Sequence, residues 1–289
     1  MLVATPNSAN AGFWGEAGHL LLGDAAAASL PPEMPEFFRE ARARLTYLNP
    51  EPDRWRDSKE RALEPALNDA AAIEHFIDLE AVPGNSLNAA SRYAFLDSVH
   101  AHGGSGSGPG LLPYRILELT QLLRIEFRLW RGAKDSSTKR AIEERIINDA
   151  GILGHYVGDG SNPHHVTVNH DGWVSPNNPK GFSAAKGFHY RFESQYVQSH
   201  ISATDVQPLV PKTPQMITPL RDGIWSYLRT SAGQLDRLYE LDKAEAFGAQ
   251  TQGAEHKKFT AERLAAGATE LRDLWWTAWV TSAPDAGKG

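Results

Sequence analysis

Two short motifs in the middle of the chain combine histidines and carboxylates at helical spacing. His155 and Asp159 lie four residues apart, and His165 follows six residues later. Further along, His189 and Glu193 are again four residues apart. Residues at that spacing share one face of a helix, so each pair directs two metal-binding groups to a common point. The chain must fold so that these faces meet, and the pattern predicts a metal centre.

The donor groups in the sequence restrict the choice of metal. The 289 residues include 11 His and no Cys, so thiolate ligands and disulfides are excluded. Imidazole mixed with carboxylate favours zinc or another divalent transition metal over magnesium or calcium. The formal net charge of −6 argues against a basic surface that binds the backbone of nucleic acids. The donor groups therefore predict zinc or another divalent transition metal as the cofactor.

Apolar residues recur mainly at helical spacing, and no stretch has the clear alternation of a β-strand. We predict helices over residues 16–30, 35–48, 113–131, 136–157 and 184–200, with two or three more between 219 and 280. No apolar run approaches the length that a membrane-spanning helix needs. The predicted fold class is therefore all-α, a single helical-bundle domain that covers residues 14–282.

The two ends of the chain are expected to lie outside that bundle. Residues 1–13 are interpreted as a flexible lead, and residues 283–289 as a tail. The lead contains Ala9-Asn10-Ala11, which resembles the end of a secretory signal. It lacks the basic start and the long apolar stretch that such a signal has, so we interpret it as a signal remnant.

Residues elsewhere in the chain can complete the predicted centre. Trp14 and His19 lie at the start of the first predicted helix, Asp53 lies in a predicted loop, and His75 follows an Ala-rich helix. Each has a simpler interpretation by itself, because a single His is usually a hydrogen-bonded residue and a single Asp often caps a helix. Burying so many ionisable groups without a cation would cost several kcal/mol each, so the set favours metal binding.

The other histidines are expected to have different roles. His164 stands directly beside His165. His170 and Asp171 lie in a long Gly- and Pro-rich loop, and such loops are often functional, so this pair is a candidate for lining a substrate cleft. The remaining four are expected to be solvated, namely His100, His102, His200 and His256.

Five short motifs occur in an order that points to a known family. They are Phe13-Trp14-Gly15, Leu30-Pro31-Pro32-Glu33-Met34, Pro52-Asp53-Arg54-Trp55-Arg56, Glu74-His75-Phe76-Ile77-Asp78 and Gly154-His155-Tyr156-Val157-Gly158-Asp159. With the two spaced pairs, they resemble the superfamily of zinc-dependent phospholipases C and single-strand-specific nucleases, in particular a bacterial branch of it. The resemblance spans about residues 13–200. It implies an all-helical phosphodiesterase with up to three zinc ions per chain.

The first zinc position that the resemblance implies has four ligands. They would be Asp53, His75, His155 and Asp159. The separation of Asp53 from His75 is longer than the family pattern leads us to expect. Asp57 is therefore an alternative to Asp53.

The resemblance implies two further zinc positions. The second would be held by His19 and by Asp159, which bridges the first two ions, and completed by the terminal amine and carbonyl of Trp14. Thirteen residues precede Trp14 in this chain, so such a completion requires trimming of the chain. The third position would be held by His165, His189 and Glu193.

A centre of this kind predicts metal-assisted hydrolysis of a phosphodiester by an activated water. Asp53 and Asp159 are the expected catalytic carboxylates, and Asp53 would orient or deprotonate the water as well as bind metal. An extra phosphate contact is expected from Arg56, Lys186 or Arg191. The resemblance also implies a secreted or periplasmic enzyme, and we expect a monomer.

Two substrate classes are compatible with these motifs. Glu193 resembles the phospholipase branch, because the nuclease branch usually has Asp there, and the negative net charge favours a phospholipid headgroup. Single-strand nucleases can instead rely on aromatic stacking, for which this region offers Trp173, Phe182, Phe188 and Tyr190. A hypothesis from another class is a non-catalytic helical protein with structural zinc, but such sites are usually closed and rich in Cys.

Overall fold

The computed structural model describes residues 14–84, 86–104 and 108–284. All the regular secondary structure in this part of the chain is helical, without a β-strand, which confirms the predicted all-α fold class. None of its helices combines the length and the apolarity that crossing a membrane requires. Residues 1–13 and 285–289 lie outside the described residues, so the division into lead, domain and tail stays a prediction.

The helices follow one another along the chain, and the longest connection without a helix covers residues 167–187. The α-helices are α1 Glu16–Ala28, α2 Glu36–Glu40, α3 Arg42–Leu48, α4 Glu51–Arg54, α5 Ser58–Leu63, α6 Ala66–Ala72, α7 Arg92–Ala101, α8 Leu112–Gly132, α9 Ser136–Ser161, α10 Phe188–Tyr190, α11 Val197–His200, α12 Ala203–Val206, α13 Leu220–Ala232, α14 Leu235–Ala244 and α15 Ala254–Thr281. A π-helical turn covers Arg191–Tyr196, and 3-10 turns cover Leu79–Ala81, Ser86–Asn88, Pro163–Val166 and Gln207–Leu209.

Two predicted helices differ from the observed ones. The segment predicted as one helix over 35–48 is interrupted at Ala41, whose amide donates to the carbonyl of Phe38 in a tighter turn. The helix predicted to begin at Ala184 begins at Phe188 instead. Gly187 precedes it with φ of 93°, a left-handed conformation that ends the preceding loop and that glycine adopts without strain.

The longest helices form the centre of the bundle. α8 and α9 pack side by side, α15 packs against both, and α1 packs against α3, α9 and α15. The last half of α9, residues 150–161, is buried throughout. Nε1 of Trp275 in α15 donates to the carbonyl of Ala150, the first residue of this buried half, at 3.2 Å. The half of α9 that carries His155 and Asp159 is thus enclosed on all sides.

Three glycines on α9 let neighbouring helices come close to it. A Cβ at Gly151 would lie 2.4 Å from Leu48 Cβ, and one at Gly154 would lie 2.2 Å from Asn49 Nδ2. A Cβ at Gly158 would lie 3.0 Å from Nδ1 of His19. The absence of side chains at these positions therefore brings the end of α3 and the ring of His19 against α9.

Replacing Gly154 by Ala is expected to lower the free energy of unfolding by about 1–3 kcal/mol, because the added methyl group overpacks the contact with Asn49. Gly132→Ala is the matched control, since a Cβ at Gly132, the last residue of α8, meets nothing within 4 Å. That change should be neutral or slightly stabilising. Urea unfolding followed by circular dichroism measures both, and equal midpoints for the two variants would contradict this packing.

Candidate metal centre

Eight ionisable side chains from separate elements converge inside the bundle. Four elements or connections between elements contribute five of them: His19 of α1, Asp53 of α4, His75 after α6, and His155 and Asp159 of α9. The remaining three come from the 3-10 turn after α9, from α10 and from the π-helical turn, namely His165, His189 and Glu193. π-Helical turns are rare and occur often at functional sites.

Main-chain carbonyls orient two of the rings. Nδ1 of His155 lies 3.0 Å from the carbonyl oxygen of Asn49, and Nδ1 of His165 lies 2.9 Å from that of His75. A carbonyl oxygen only accepts, so Nδ1 carries the proton in both rings. Each ring then presents an unprotonated Nε2 to the cluster, which is the arrangement in which histidines bind metals.

Those nitrogens face other nitrogens at hydrogen-bond distance. Nε2 of His155 lies 2.9 Å from Nδ1 of His75, and Nε2 of His165 lies 3.1 Å from Nε2 of His189. Two lone pairs directed at one another repel unless a proton or a metal ion lies between them. The two contacts therefore suit a cation that both rings of each pair can bind.

The buried carboxylates complete these nitrogen pairs. Asp159 Oδ2 lies 3.0 Å from His75 Nδ1 and 3.4 Å from His155 Nε2, while its Oδ1 lies 3.5 Å from His19 Nε2. Glu193 Oε2 lies 2.7 Å from His189 Nε2, so the predicted helical pair does share one face. Buried atoms without a hydrogen-bond partner include His19 Nε2, Asp159 Oδ1 and Glu193 Oε1.

The structure separates the two acids that the sequence left as alternatives. Asp53 Oδ1 lies 3.8 Å from Nε2 of His155 and belongs to the cluster. Asp57 is exposed, and its Oδ1 accepts from the amides of Lys59 and Glu60 at the start of α5. Asp57 therefore serves as a helix cap, and Asp53 is the acid that faces the histidines.

Three groups of these residues can hold metal ions, because in each group the donor atoms lie within 4.8 Å of one another. They are His19 with Asp53 and His155, His75 with His155 and Asp159, and His165 with His189 and Glu193. The last group has the composition that the family resemblance implies. The first two share His155 and together contain the side chains that the resemblance divides between two ions.

Trp14 lies next to this cluster. Its indole is fully buried and donates from Nε1 to Ser161 Oγ at 3.0 Å. The amide of the following residue, Gly15, donates to the carbonyl of Glu193. The start of the described chain is therefore held against the third group, and a ligand role for the main chain of Trp14 stays a prediction.

Burial shifts the ionisation of the cluster toward its neutral form. It raises the pKa of Asp53 to about 7 and the pKa of Asp159 and Glu193 well above their ordinary values. It also lowers the pKa of His19 to about 3 and that of His189 to about 4. Without a cation, burial thus favours the protonated form of the acids and the neutral form of the rings.

Binding of a divalent cation is expected to release protons from these acids, because a carboxylate must lose its proton to bind metal. At about pH 6, below the pKa of about 7 of Asp53, affinity should therefore be weaker than at higher pH. Calorimetric titration with Zn²⁺ in buffers of different ionisation enthalpy measures the number of protons.

Two acid-to-amide variants make that measurement specific. Asp53→Asn should release fewer protons, and the exposed cap variant Asp57→Asn should release as many as the wild type. Zinc binding without proton release would contradict the protonated state of the cluster.

Three residues that support the centre were not predicted from the sequence. Asn49 accepts from Nδ1 of His19 at 3.1 Å, Asn162 Nδ2 donates to Glu193 at 3.3 Å, and Asp171 accepts from the amide of His189 at 3.2 Å. Both asparagines precede a proline, a pattern typical of a helix end. The sequence therefore contains no sign that they contact the centre. Asp171 is one of the predicted loop pair, but it holds the start of α10, and His170 is exposed.

Several predicted roles around the site are wrong. Phe182 and Phe188 are buried and pack with Trp173 around Tyr239, so they do not form an open stacking surface. Tyr190 is 46% exposed and is the one predicted aromatic residue that stays accessible.

Two polar residues also differ from expectation. Arg191 forms an ion pair with Asp242, so its guanidinium is already bound within the chain. His256 is buried rather than solvated, and its Nε2 donates to the carbonyls of Leu241 and Glu245. The charged lysines that follow it, Lys257 and Lys258, suggested a solvated segment, but α15 turns His256 toward α14. Arg191 is therefore no candidate for a phosphate contact, and His256 has a structural role.

Comparison with known proteins gives only distant matches. No protein-family model and no curated protein matches the sequence. Among solved structures, an alpha toxin from Clostridium absonum aligns with 93% of this chain and 65% of the toxin at 13% identity and a TM-score of 0.46. Alpha-toxin of Clostridium perfringens from avian strain SWCP aligns with 94% of this chain and 64% of the toxin at 13% identity and a TM-score of 0.39. The chain thus spans less than two thirds of either toxin, and its metal-binding capacity rests on its own side chains.

Proposed function

We propose that this protein is a metal-dependent phosphodiester hydrolase of the zinc-dependent phospholipase C type. One observation carries the proposal: eight histidine and acid side chains meet inside an apolar bundle, with imidazole nitrogens 2.9 and 3.1 Å apart. In each pair, both rings and an adjacent carboxylate can hold one cation together. The sequence motifs point to the same family.

The donor set fits zinc. It combines five imidazole rings with three carboxylates and no thiolate, which suits a borderline divalent ion. We propose up to three zinc ions, held by the three groups described above. Bound zinc would acidify a water and polarise a phosphoryl oxygen, which are the two requirements for attack at phosphorus.

The least buried members of the cluster indicate where a substrate would approach. The side chains of His155, Asp159, His165 and Glu193 are 0% exposed, whereas Asp53 is 23% exposed and His189 17% exposed. A substrate would therefore approach the cluster on the side of Asp53 and His189. The scissile phosphate would lie on that side.

Asp53 and Arg56 are the residues best placed to act on the substrate itself. Asp53 is the most exposed carboxylate of the cluster, which suits a group that orients or deprotonates a water. Asp159 is more enclosed and would bridge and orient ligands rather than exchange protons. Arg56 lies close enough to Asp53, Asp159 and Glu193 to interact with their charges, and its guanidinium would donate to phosphoryl oxygens.

A phospholipid headgroup is the favoured substrate. The net charge of −6 provides no general attraction for nucleic acid, and most of the aromatic residues near the site are packed in the core. Single-stranded nucleic acid is the alternative, with Tyr190 as an accessible stacking residue. Export from the cytoplasm and a monomeric state belong to the same proposal.

Metal content and activity measured on the same preparation test this function. We expect bound zinc together with hydrolysis of phosphatidylcholine that exceeds hydrolysis of single-stranded DNA and of 3′-nucleotides. Preferential hydrolysis of DNA would instead favour the nuclease. Bound zinc without hydrolysis of any phosphoester would indicate structural zinc and contradict the enzyme.

A further inference from the structure

Asn49, which follows α3, contacts two of the cluster histidines at once. Its side-chain Oδ1 lies 3.1 Å from Nδ1 of His19, and its main-chain carbonyl lies 3.0 Å from Nδ1 of His155. The residue is 0% exposed. The two rings stack with centroids 3.9 Å apart and planes 19° apart, so one residue holds both rings of a parallel pair.

We propose that Asn49 is a positioning residue that sets the tautomer and the ring orientation of His19 and His155. An acceptor at Nδ1 places the proton there, so both rings present an unprotonated Nε2 to the centre. Nε2 of His19 then lies 3.5 Å from Asp159, and Nε2 of His155 lies 3.8 Å from Asp53. The inference that these nitrogens bind metal rests on the proposed function. The inference about their tautomer does not.

The surrounding helices hold Asn49 in place. A Cβ at Gly23 of α1 would lie 2.8 Å from Asn49 Nδ2, and one at Gly154 of α9 would lie 2.2 Å from the same atom. Both helices therefore leave a slot that the amide fills. A larger residue at either glycine would displace the amide from this slot.

Packing stability alone does not account for an amide in that slot. Asn49 Nδ2 is buried and makes no hydrogen bond. Leaving a buried donor unsatisfied costs free energy that an apolar residue of similar shape would avoid. An apolar residue could not accept a hydrogen bond from Nδ1 of His19. This contact therefore explains why an amide occupies the slot.

The two contacts respond differently to mutation. Asn49→Ala removes the acceptor for His19 but keeps the main-chain carbonyl that faces His155. A positioning role therefore predicts a change at one ring and none at the other. Asn49→Asp keeps an acceptor oxygen and should rescue His19.

Nitrogen chemical shifts of the histidine rings in the metal-free protein test the tautomer directly. In protein labelled with ¹⁵N at histidine, we expect protonated Nδ1 and unprotonated Nε2 for both His19 and His155, with each assigned by its His→Gln variant. In Asn49→Ala, His19 should become a mixture of tautomers while His155 keeps its own. Unchanged shifts of His19 in that variant, or a protonated Nε2 in the wild type, would overturn the proposal.

Zinc titration adds a second measurement on the same variants. Asn49→Ala should bind zinc about 10- to 100-fold more weakly in the subsite that contains His19, and Asn49→Asp should bind as the wild type does. Leu45→Ala is the stability control, because it empties core volume in α3 and removes no polar group, and its zinc affinities should not change. Equal affinities for Asn49→Ala and the wild type would refute the positioning role in metal binding.

The two experiments distinguish this inference from the proposed function. A wild-type protein that binds no zinc would contradict the proposed function. The nitrogen chemical shifts of the His19 and His155 rings would still test the role of Asn49. Zinc binding by the wild type, together with a His19 tautomer that Asn49→Ala leaves unchanged, would contradict the positioning role alone.

Discussion

Replacing His155 by Ala is expected to abolish both zinc retention and hydrolysis of bis(p-nitrophenyl) phosphate. His155 belongs to two of the three groups that can hold metal, and its Nε2 faces His75, Asp53 and Asp159. Its loss removes one donor from each of two positions. Activity should fall to the rate of the uncatalysed reaction, measured by release of p-nitrophenol beside metal analysis of the same sample.

His102→Ala is the matched control for that variant. His102 is exposed, and its Nδ1 donates to the carbonyl of Ser98 in the preceding turn. Its replacement should leave zinc content and turnover unchanged. Full turnover in His155→Ala would remove the proposed mechanism.

Removing the metal is expected to lower thermal stability by a large amount. A ligand that binds only the folded chain at 1,000 times its dissociation constant stabilises it by about 4 kcal/mol. For a chain of this size, loss of one such ion should lower the melting temperature by on the order of 10 °C. The physical reason is that the cation compensates the burial of Asp159 and Glu193, which are 0% exposed.

Differential scanning calorimetry with and without EDTA measures this loss. The wild type should recover its melting temperature when excess Zn²⁺ is restored. His155→Ala should already melt at a lower temperature and respond less to EDTA, which separates metal loss from other effects of the chelator. A wild-type transition that EDTA leaves unchanged would mean that no metal supports the fold.

Local periodicity was sufficient to predict the long helices and the pairs on their faces. α9 and α15 have apolar stripes that any helix buried in a bundle requires, and both occur where expected. The spacing of His189 and Glu193 is equally local, and their side chains do meet, at 2.7 Å. A local pattern predicts which side chains share one face of a helix. The fold then brings such faces together.

The contacts that orient the rings could not be predicted in the same way. His155 is oriented by the carbonyl of Asn49, a partner 106 positions away in sequence. Every residue has such a carbonyl, so the sequence contains no signal for this one. Gly154 offers an indirect signal, since a glycine inside a helix is unfavourable unless another group approaches closely.

The aromatic residues after α9 show a second limit of local patterns. Trp173, Phe182 and Phe188 lie near the site in sequence, and stacking with a substrate was a reasonable expectation. In the fold, Tyr239 of α14 packs against all three. Whether an aromatic ring faces a cleft or the core depends on an element that arrives much later in the chain.

Anomalous X-ray diffraction from crystals of the wild-type protein, measured on both sides of the zinc absorption edge, tests the central claim most directly. We expect peaks that appear only above the edge, one among His165, His189 and Glu193 and at least one beside His155 and Asp159. A map without such peaks, from protein purified with zinc present and without chelator, would contradict a metal centre in this bundle.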